Sequence, residues 1–529
     1  MPWRLVVASA IAVVATAAFV PGSGLGSSAG AVHARLGAGA IRSDTGLPKW
    51  PPYLGSVVAL SADGTTALVS APGVDKGKGA VYVYHVSGPG SWASSSTPAA
   101  TLTNSSGAAG DEFGDQIALS ADGTTAFVGA PFRDQQAGAV DVFHVLSEDA
   151  WASTSTPTAT LTVADGSGIG LAFAASADGT TLLVGALDYN SGRGGAYVFR
   201  VSSEDAWVSS STPTATLSNA LESPDDSGVG APVALSADGT TALLSDAEAG
   251  LGGAYVFHVT SEAAWVSSSA PTAILSASGP DDLFGDALAL SGDGTTAFLA
   301  APGQRFWQAG AVEVFHATSE SSWVPSSTPA ATLTYAGGSG EADFAWSLAA
   351  SADGATAVIS ASGFHKAAGA VLVYHVSDAG AWTSNSVPTA KLINSAGHPN
   401  DFLGGNLDGS SLVMSTDGAT VLVGALGADW RTGAAYVFHA SSASAWATSS
   451  TPAATLTNSA LPRPVCVVPR LVGEGLHVAE VDLWYANCGL GKVSRVHSSH
   501  RKKGYVLSQS PRPRKHLPAG ARIKLTVGK

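Results

Sequence analysis

Six histidines, His85, His144, His258, His316, His375 and His439, occupy the same place in a repeating pattern, and Arg200 takes the seventh place. Histidine is the side chain best suited to general acid-base work near neutral pH and to metal ligation. One active site needs one arrangement of side chains, so a base repeated six times at a strand end reads as a structural or surface position. The sequence has no H-E-x-x-H helix, no G-x-x-x-x-G-K loop and no Ser-His-Asp arrangement on recognisable elements. No catalytic residue is assigned, and the chain is expected not to be an enzyme. Carboxylate pairs such as Asp225-Asp226 sit in Gly/Pro-rich turns and read as solvated; a glycosidase pair assembled across repeats stays open as the alternative. Asp281, Asp282 and Asp286, echoed in part by Asp111 and Asp115, are the weak metal candidates, because a hard cation such as calcium takes oxygen ligands. Their competing role is that of turn residues leading into strands. No other cofactor is expected.

Two further groups stand in the connections that differ most between repeats, Arg305-Phe306-Trp307 and Asp429-Trp430-Arg431. Loops on a rigid scaffold carry most binding, and aromatic and Arg side chains dominate binding surfaces, so these are the candidate ligand contacts. Seven further tryptophans, Trp92, Trp151, Trp207, Trp265, Trp323, Trp382 and Trp446, are each followed six residues later by a proline. Their fixed place points to packing, each ring over its own repeat, rather than to sugar stacking.

These residues are positioned by an internal repeat. An Asp-Gly turn recurs at Asp63, Asp122, Asp178, Asp238, Asp293, Asp353 and Asp417, spaced by 55 to 64 residues and in step with the tryptophans. In the second copy Gln116–Ser120 and Thr124–Gly129 flank the Asp-Gly pair, the usual signal of a two-residue hairpin. Ala139–Val145 alternates as a third strand, and Thr158–Thr162 supplies a fourth. Four short antiparallel strands repeated seven times predict a mainly β fold, a seven-bladed β-propeller over residues 54–461. A segment Ala453–Thr457 follows the last Trp connection, whereas no such strand precedes the first Asp-Gly turn. It is expected to complete the first blade and lock the ring.

Only 12% of residues are charged, against about 25% in ordinary globular proteins, so the surface must be rich in Ser, Thr, Gly and Ala. Of 26 Lys+Arg and 40 Asp+Glu, residues 463–529 hold 13 and 3, which leaves 13 and 37 for the rest and makes the tail a separate basic module. It faces either an anionic partner or only solvent. Arg4 followed by the apolar run Leu5–Val20 reads as a signal peptide over 1–34, with cleavage after Ala29-Gly30-Ala31 or Val32-His33-Ala34, then a linker over 35–53. As a helix the run reaches roughly 24 Å, short of a bilayer core of about 30 Å, so no membrane span is expected after cleavage. Cys466 and Cys488 are the only cysteines, and in an exported chain a lone pair predicts a disulfide.

The repeat resembles the FG-GAP repeats of integrin α-subunit propellers and of many bacterial surface proteins. Phe113-Gly114 and Phe284-Gly285 carry the Phe-Gly element, varied at Leu54-Gly55, Ile169-Gly170, Val229-Gly230, Phe344-Ala345 and Leu403-Gly404. Gly129-Ala130-Pro131 carries the second element, with near matches at Ser70-Ala71-Pro72 and Ala300-Ala301-Pro302. Members often bind calcium through a D-x-D-x-D-G loop, but the tight turn Ser61–Thr66 is too short to wrap a cation. Residues 462–529 resemble a PASTA domain, through Val468–Gly473, Gly491-Lys492-Val493, Gly504-Tyr505-Val506, Gln509-Ser510-Pro511 and Leu517–Gly520, with Pro513-Arg514 where such domains carry a Pro-Gly turn. The resemblance implies a strand, a helix at Leu476–Asn487 and three strands, a small α+β domain associated with cell-wall peptidoglycan. Together these point to a secreted or wall-associated binding and adhesion scaffold. Its propeller loops would contact a protein or glycan and its tail the wall, with no nucleic-acid partner. The alternative is an extracellular propeller enzyme acting on polysaccharide.

Overall fold

The structure, a computed structural model, describes residues 51–529 apart from 166–167, 188, 190–192, 220–228, 231, 247–251, 278–283, 302–309, 338–343, 406–410 and 499–501. The expected signal peptide and residues 35–50 of the linker lie outside the described residues. The chain divides into two compact units, Pro52–Asp429 with Gly433–Leu461, and Pro462–Lys529 with Trp430–Thr432.

In the first unit each repeat folds into four consecutive antiparallel strands, giving seven such sheets. The second sheet is built from Ile117–Leu119, Thr125–Ala130, Ala139–His144 and Ala159–Leu161. Thr125–Ala130 is buried at every residue because alternate side chains enter two cores. Ala126, Val128 and Ala130 pack against the first sheet, and Phe127 packs against the third. First strands of adjacent sheets touch all the way round, and that of the first sheet touches that of the seventh, so the sheets stand about an axis as a seven-bladed propeller.

Ring closure differs from the expectation. Ala454–Leu456 pairs with Ala434–His439 of its own blade, and the first blade is completed by Ala100–Leu102. No strand is exchanged into the first blade. Closure instead uses backbone bridges, Leu54 with Gly433 and Ser95 with Leu456, and packing of Leu54, Val58 and Trp92 against Leu422, Val437 and Leu456. The rim follows one rule throughout. An outermost strand exposes unpaired backbone groups, and each is covered by the Ser/Thr-rich segment of the next blade, as Leu102 by Thr154, Leu161 by Ser210 and Leu456 by Ser95.

The Asp-Gly loop also differs from the two-residue form. Ser120 and Thr125 close it, which leaves four residues between them. The cause is Ala121, whose N–H leaves the hairpin to bond the Ala177 carbonyl of the next blade at 2.8 Å. Gly123 turns the chain at φ 71°, a conformation costly for any residue with a Cβ. Every indole N–H of the seven tryptophans donates to the turn glycine of its own blade, from Trp92 to Gly64 at 2.8 Å to Trp446 to Gly418 at 2.7 Å. The rings do not simply lie over their own blade. They fill the core shared with the preceding one, so that Trp207 meets Phe127 edge-on and Trp382 meets Phe298, each with centroids 5.5 Å apart.

In the second unit Val465–Val467 pairs with His516–Pro518, the helix Leu476–Tyr485 follows, and Arg522–Gly528 lies between Gly489–Val496 and Val506–Ser510. That is one strand more than the strand, helix and three strands expected. Leu471, Leu483, Ile523, Leu525 and Val527 form the core with Cys466 and Cys488, which are joined by a disulfide. Arg514 stands at φ 65°, a position that a Pro-Gly turn would give to glycine.

Candidate functional site

Alternating strand direction puts the first-to-second and third-to-fourth connections of every blade at one end of the ring. At that end Thr66 Oγ1 meets His85 Nδ1 at 2.9 Å, and the pair recurs with 2.9 to 3.0 Å spacing at His144, His258, His316, His375 and His439. In the first four blades a glutamate from the next blade joins this seam, whereas Ala379, Ala443 and Pro89 stand at the equivalent place for the other three. Glu148 accepts from Thr65 Oγ1 at 2.8 Å and from Thr66 Oγ1, and Asp149 Oδ1 lies 3.1 Å from His85 Nε2. Glu204, Glu262 and Glu320 repeat the bond to Thr124, Thr180 and Thr240 at 2.8 to 3.0 Å, and Arg200 faces Glu262 at 3.7 Å. A hydroxyl, an imidazole and a carboxylate in line is the order of a nucleophilic triad. Here the hydroxyl belongs to a fully buried threonine already bonded to Glu148, so a substrate has no path to it. The set is a seam between blades. The sequence reads the histidines as structural or surface positions and gives no sign of the glutamates that join the early seams, which lie one repeat further on, just before the tryptophan.

The turn aspartates are consumed in the same way. Asp63 Oδ1 accepts from Ser61 Oγ, Thr65 N and Thr65 Oγ1 at 2.7 to 3.0 Å. Burial raises the affinity of Asp63, Asp122 and Asp238 for a proton, but the hydrogen bonds from the flanking Ser and Thr outweigh it and hold all three below the ordinary 3.8. Two recesses open along the seams, about 310 Å³ beside His144, Glu204 and Asp205 and about 530 Å³ beside Asp178, Arg200 and Glu262. Both are lined by these repeated residues.

The other end carries the connections between second and third strands. Asp75-Lys76, Asp134-Gln135-Gln136 and His365-Lys366-Ala367 all have positive φ, 49° to 77°, which costs an L-residue about 1 kcal/mol each. Such turns persist where the surroundings over-determine them and present fixed side chains. In the second blade the connection delivers Arg133 to Asp141, a fully buried carboxylate in the third strand. Their fork-to-fork bonds measure 3.0 and 2.7 Å, and Asn104 Nδ2 and Thr160 Oγ1 donate to the same carboxylate at 2.6 and 2.7 Å. Burial would lower the basicity of Arg133, but the bonds and charge of Asp141 dominate and raise it. No sequence signal separated this pair from ordinary loop charges.

Arg305, Phe306, Trp307, Asp281, Asp282, Asp225 and Asp226 lie outside the described residues. Asp286 is described, in the turn after Phe284-Gly285, and among the described residues no group of three His, Cys, Asp or Glu is placed to hold a metal ion. Asp429 is exposed in the propeller unit. Arg431 is buried in the other unit, where Nε donates to Asn487 Oδ1 at 3.0 Å and the guanidinium lies 5.3 Å over the Trp484 ring. It is a packing residue rather than an open ligand contact. In the same unit Lys492, Arg495, Lys502, Lys503, Arg522 and Lys524 are exposed.

The FG-GAP repeat family matches residues 97–143, which span Phe113-Gly114 and Gly129-Ala130-Pro131. No curated protein matches the chain. Among solved structures it is similar to hydrazine synthase of Kuenenia stuttgartiensis, at 12% identity and a TM-score of 0.45 over 76% of this chain and 99% of that one. It is likewise similar to a Dos1 propeller, at 12% identity and a TM-score of 0.41 over 74% of this chain and 82% of that one.

Proposed function

We propose that the chain is a secreted binding scaffold and not an enzyme, with a propeller that presents variable loops to a protein or glycan and a PASTA-like tail that contacts an anionic wall polymer. One observation carries the reading. The six repeated Thr–His pairs, joined by a glutamate of the next blade at Thr66-His85-Glu148 and in the other early repeats, are spent in the seams between blades, whereas the sequence differences gather in the connections at the other end of the ring. Fixed framework and variable loops on one end is the organisation of a binding surface. The disulfide Cys466–Cys488 fits an oxidising compartment, and no helix among the described residues is long and apolar enough to cross a membrane. Exposed lysines and arginines on the tail supply charge complementary to a polyanion.

The test is retention of the full chain on purified cell wall, beside a variant in which Lys492, Lys502, Lys503 and Lys524 are changed to Glu. Retention should fall at least tenfold in the variant and weaken with salt. Equal retention of both proteins removes the tail from the proposal.

A further inference from the structure

The rim segment that covers each outer strand contains four consecutive side chains of distinct fate. In the first blade these are Ser94, Ser95, Ser96 and Thr97, followed by Pro98. Ser94 Oγ accepts the Thr455 N–H at 3.0 Å, which fastens the blade to its neighbour. Ser95 Oγ accepts from Thr97 N at 3.2 Å and donates to Thr97 O at 2.9 Å, which fixes the bend. Ser96 and Thr97 are exposed, and their hydroxyls bond no described residue. The pattern repeats round the ring. The second position makes the same bend at Thr154, Ser210, Ser268, Ser326 and Ser449, while the exposed threonine recurs as Thr156, Thr212, Thr328 and Thr451. Blades four and six carry Ala270 and Val387 there instead. The following proline holds the threonine in extended backbone, so the hydroxyl is presented outward on a backbone that the preceding sheet cannot release without opening a seam.

These hydroxyls take no part in packing or in hydrogen bonds to described residues, yet they recur beside a proline at the same rim position. Ser/Thr-rich composition with Pro is the composition of O-glycosylated segments in exported proteins. We infer that the rim is an array of O-glycosylation sites, with Ser96-Thr97 and its equivalents as acceptors, an assignment that rests on the chain being exported. A glycosyltransferase brings a sugar activated as its glycosyl phosphate on a lipid or nucleotide. The hydroxyl oxygen forms the new bond to the anomeric carbon, the anomeric carbon–oxygen bond to phosphate breaks, the phosphate leaves with the electron pair, and the hydroxyl proton passes to a base of the transferase. Attached glycans would stand round the outer wall of the ring and leave both ends open.

The test uses protein purified from the cells that produce it, read by intact mass, by N-terminal sequence and by fragmentation that retains side-chain adducts. Hexose-type increments should map to the third and fourth rim positions and be missing from Ser94 and Ser95 and their equivalents. The exposed fivefold change T97A, T156A, T212A, T328A and T451A should remove at least half of the added mass. A processed N-terminus with the mass of bare polypeptide overturns the array while leaving export intact. Sugar found equally on the bonded hydroxyls, or phosphate in place of sugar, also overturns it, and an unprocessed, unmodified chain overturns both the array and export.

Discussion

The Thr416 N–H donates to the Ala62 carbonyl at 3.0 Å and completes a circle of backbone hydrogen bonds about the propeller axis. Ala62 bonds Ala121, Ala121 bonds Ala177, Ala177 bonds Ala237, Ala237 bonds Gly292, and the circle continues from Asp293 to Ala352 and from Ala352 to Thr416. First and last blades are joined by the same bond as the others, save that in the fifth blade the donor is Asp293, one residue beyond Gly292.

Closure without strand exchange therefore predicts a seam as firm as the rest. The Thr457 amide, bonded to Ser95 O at 2.9 Å, should resist hydrogen exchange as strongly as Thr103 and Thr162, which make the same bond at 3.1 and 3.0 Å in interior seams. Exchange of Thr457 ten times faster would show a ring that opens between its ends.

The tryptophans hold two blades and one turn. Trp265→Phe keeps most of the ring but loses the bond to Gly239 O, and should lower stability by about 1 kcal/mol. Trp265→Ala, which empties a core between blades, should cost about 3–5 kcal/mol. Urea midpoints of the three proteins give both values.

The buried pair in the second blade is dispensable only as a pair. Asp141→Leu leaves the buried Arg133 guanidinium without this carboxylate and should cost about 3–5 kcal/mol, whereas adding Arg133→Met should restore part of that loss, the rest staying with the Asn104 and Thr160 donors that also bond Asp141. The sixth blade already carries Leu372 at the equivalent place, fully buried. A double-mutant cycle by chemical denaturation reads the coupling.

Acid should weaken the ring through its turns. Asp63, Asp122 and Asp238 titrate lower in the folded chain than in the unfolded one, so their contribution is present above the unfolded value near 3.8 and is lost as pH falls through the folded value. Stability measured from pH 6 down to pH 2 should fall most steeply below about pH 4. Asp238→Asn should flatten that slope.

The disulfide acts locally. Breaking a crosslink between residues 22 apart should destabilise the tail by about 3 kcal/mol. Limited proteolysis of Cys466→Ser/Cys488→Ser should cut within 462–529 and leave the propeller resistant.

The four strands of each blade, the sevenfold repeat and the cysteine pairing were legible in the sequence because Asp-Gly, Trp and the two cysteines mark positions that chain-local chemistry decides; the four-residue hairpin loop and the extra strand of the tail were not. Nor was the phase of closure. A sheet that takes its outer strand from its own repeat and one that borrows it from the far end have the same periodic sequence, and only the pairing of Ala454–Leu456 with Ala434–His439 separates them. The same limit hid the partners across seams. Glu148 meets Thr66 from 82 residues away, a distance set by the curvature of the ring and not by any local spacing. Arg133 and Asp141, only 8 apart, escaped for the opposite reason, since one charge in a loop and one in a strand are ordinary until the strand proves buried.

The claim that this is a scaffold that binds without transforming its ligand is tested most directly by incubating the full chain with purified wall glycan, reading bound protein and released sugar in the same tube. Saturable, salt-sensitive retention with no sugar released beyond the protein-free control is the predicted result. Sustained release in proportion to protein and time would contradict it.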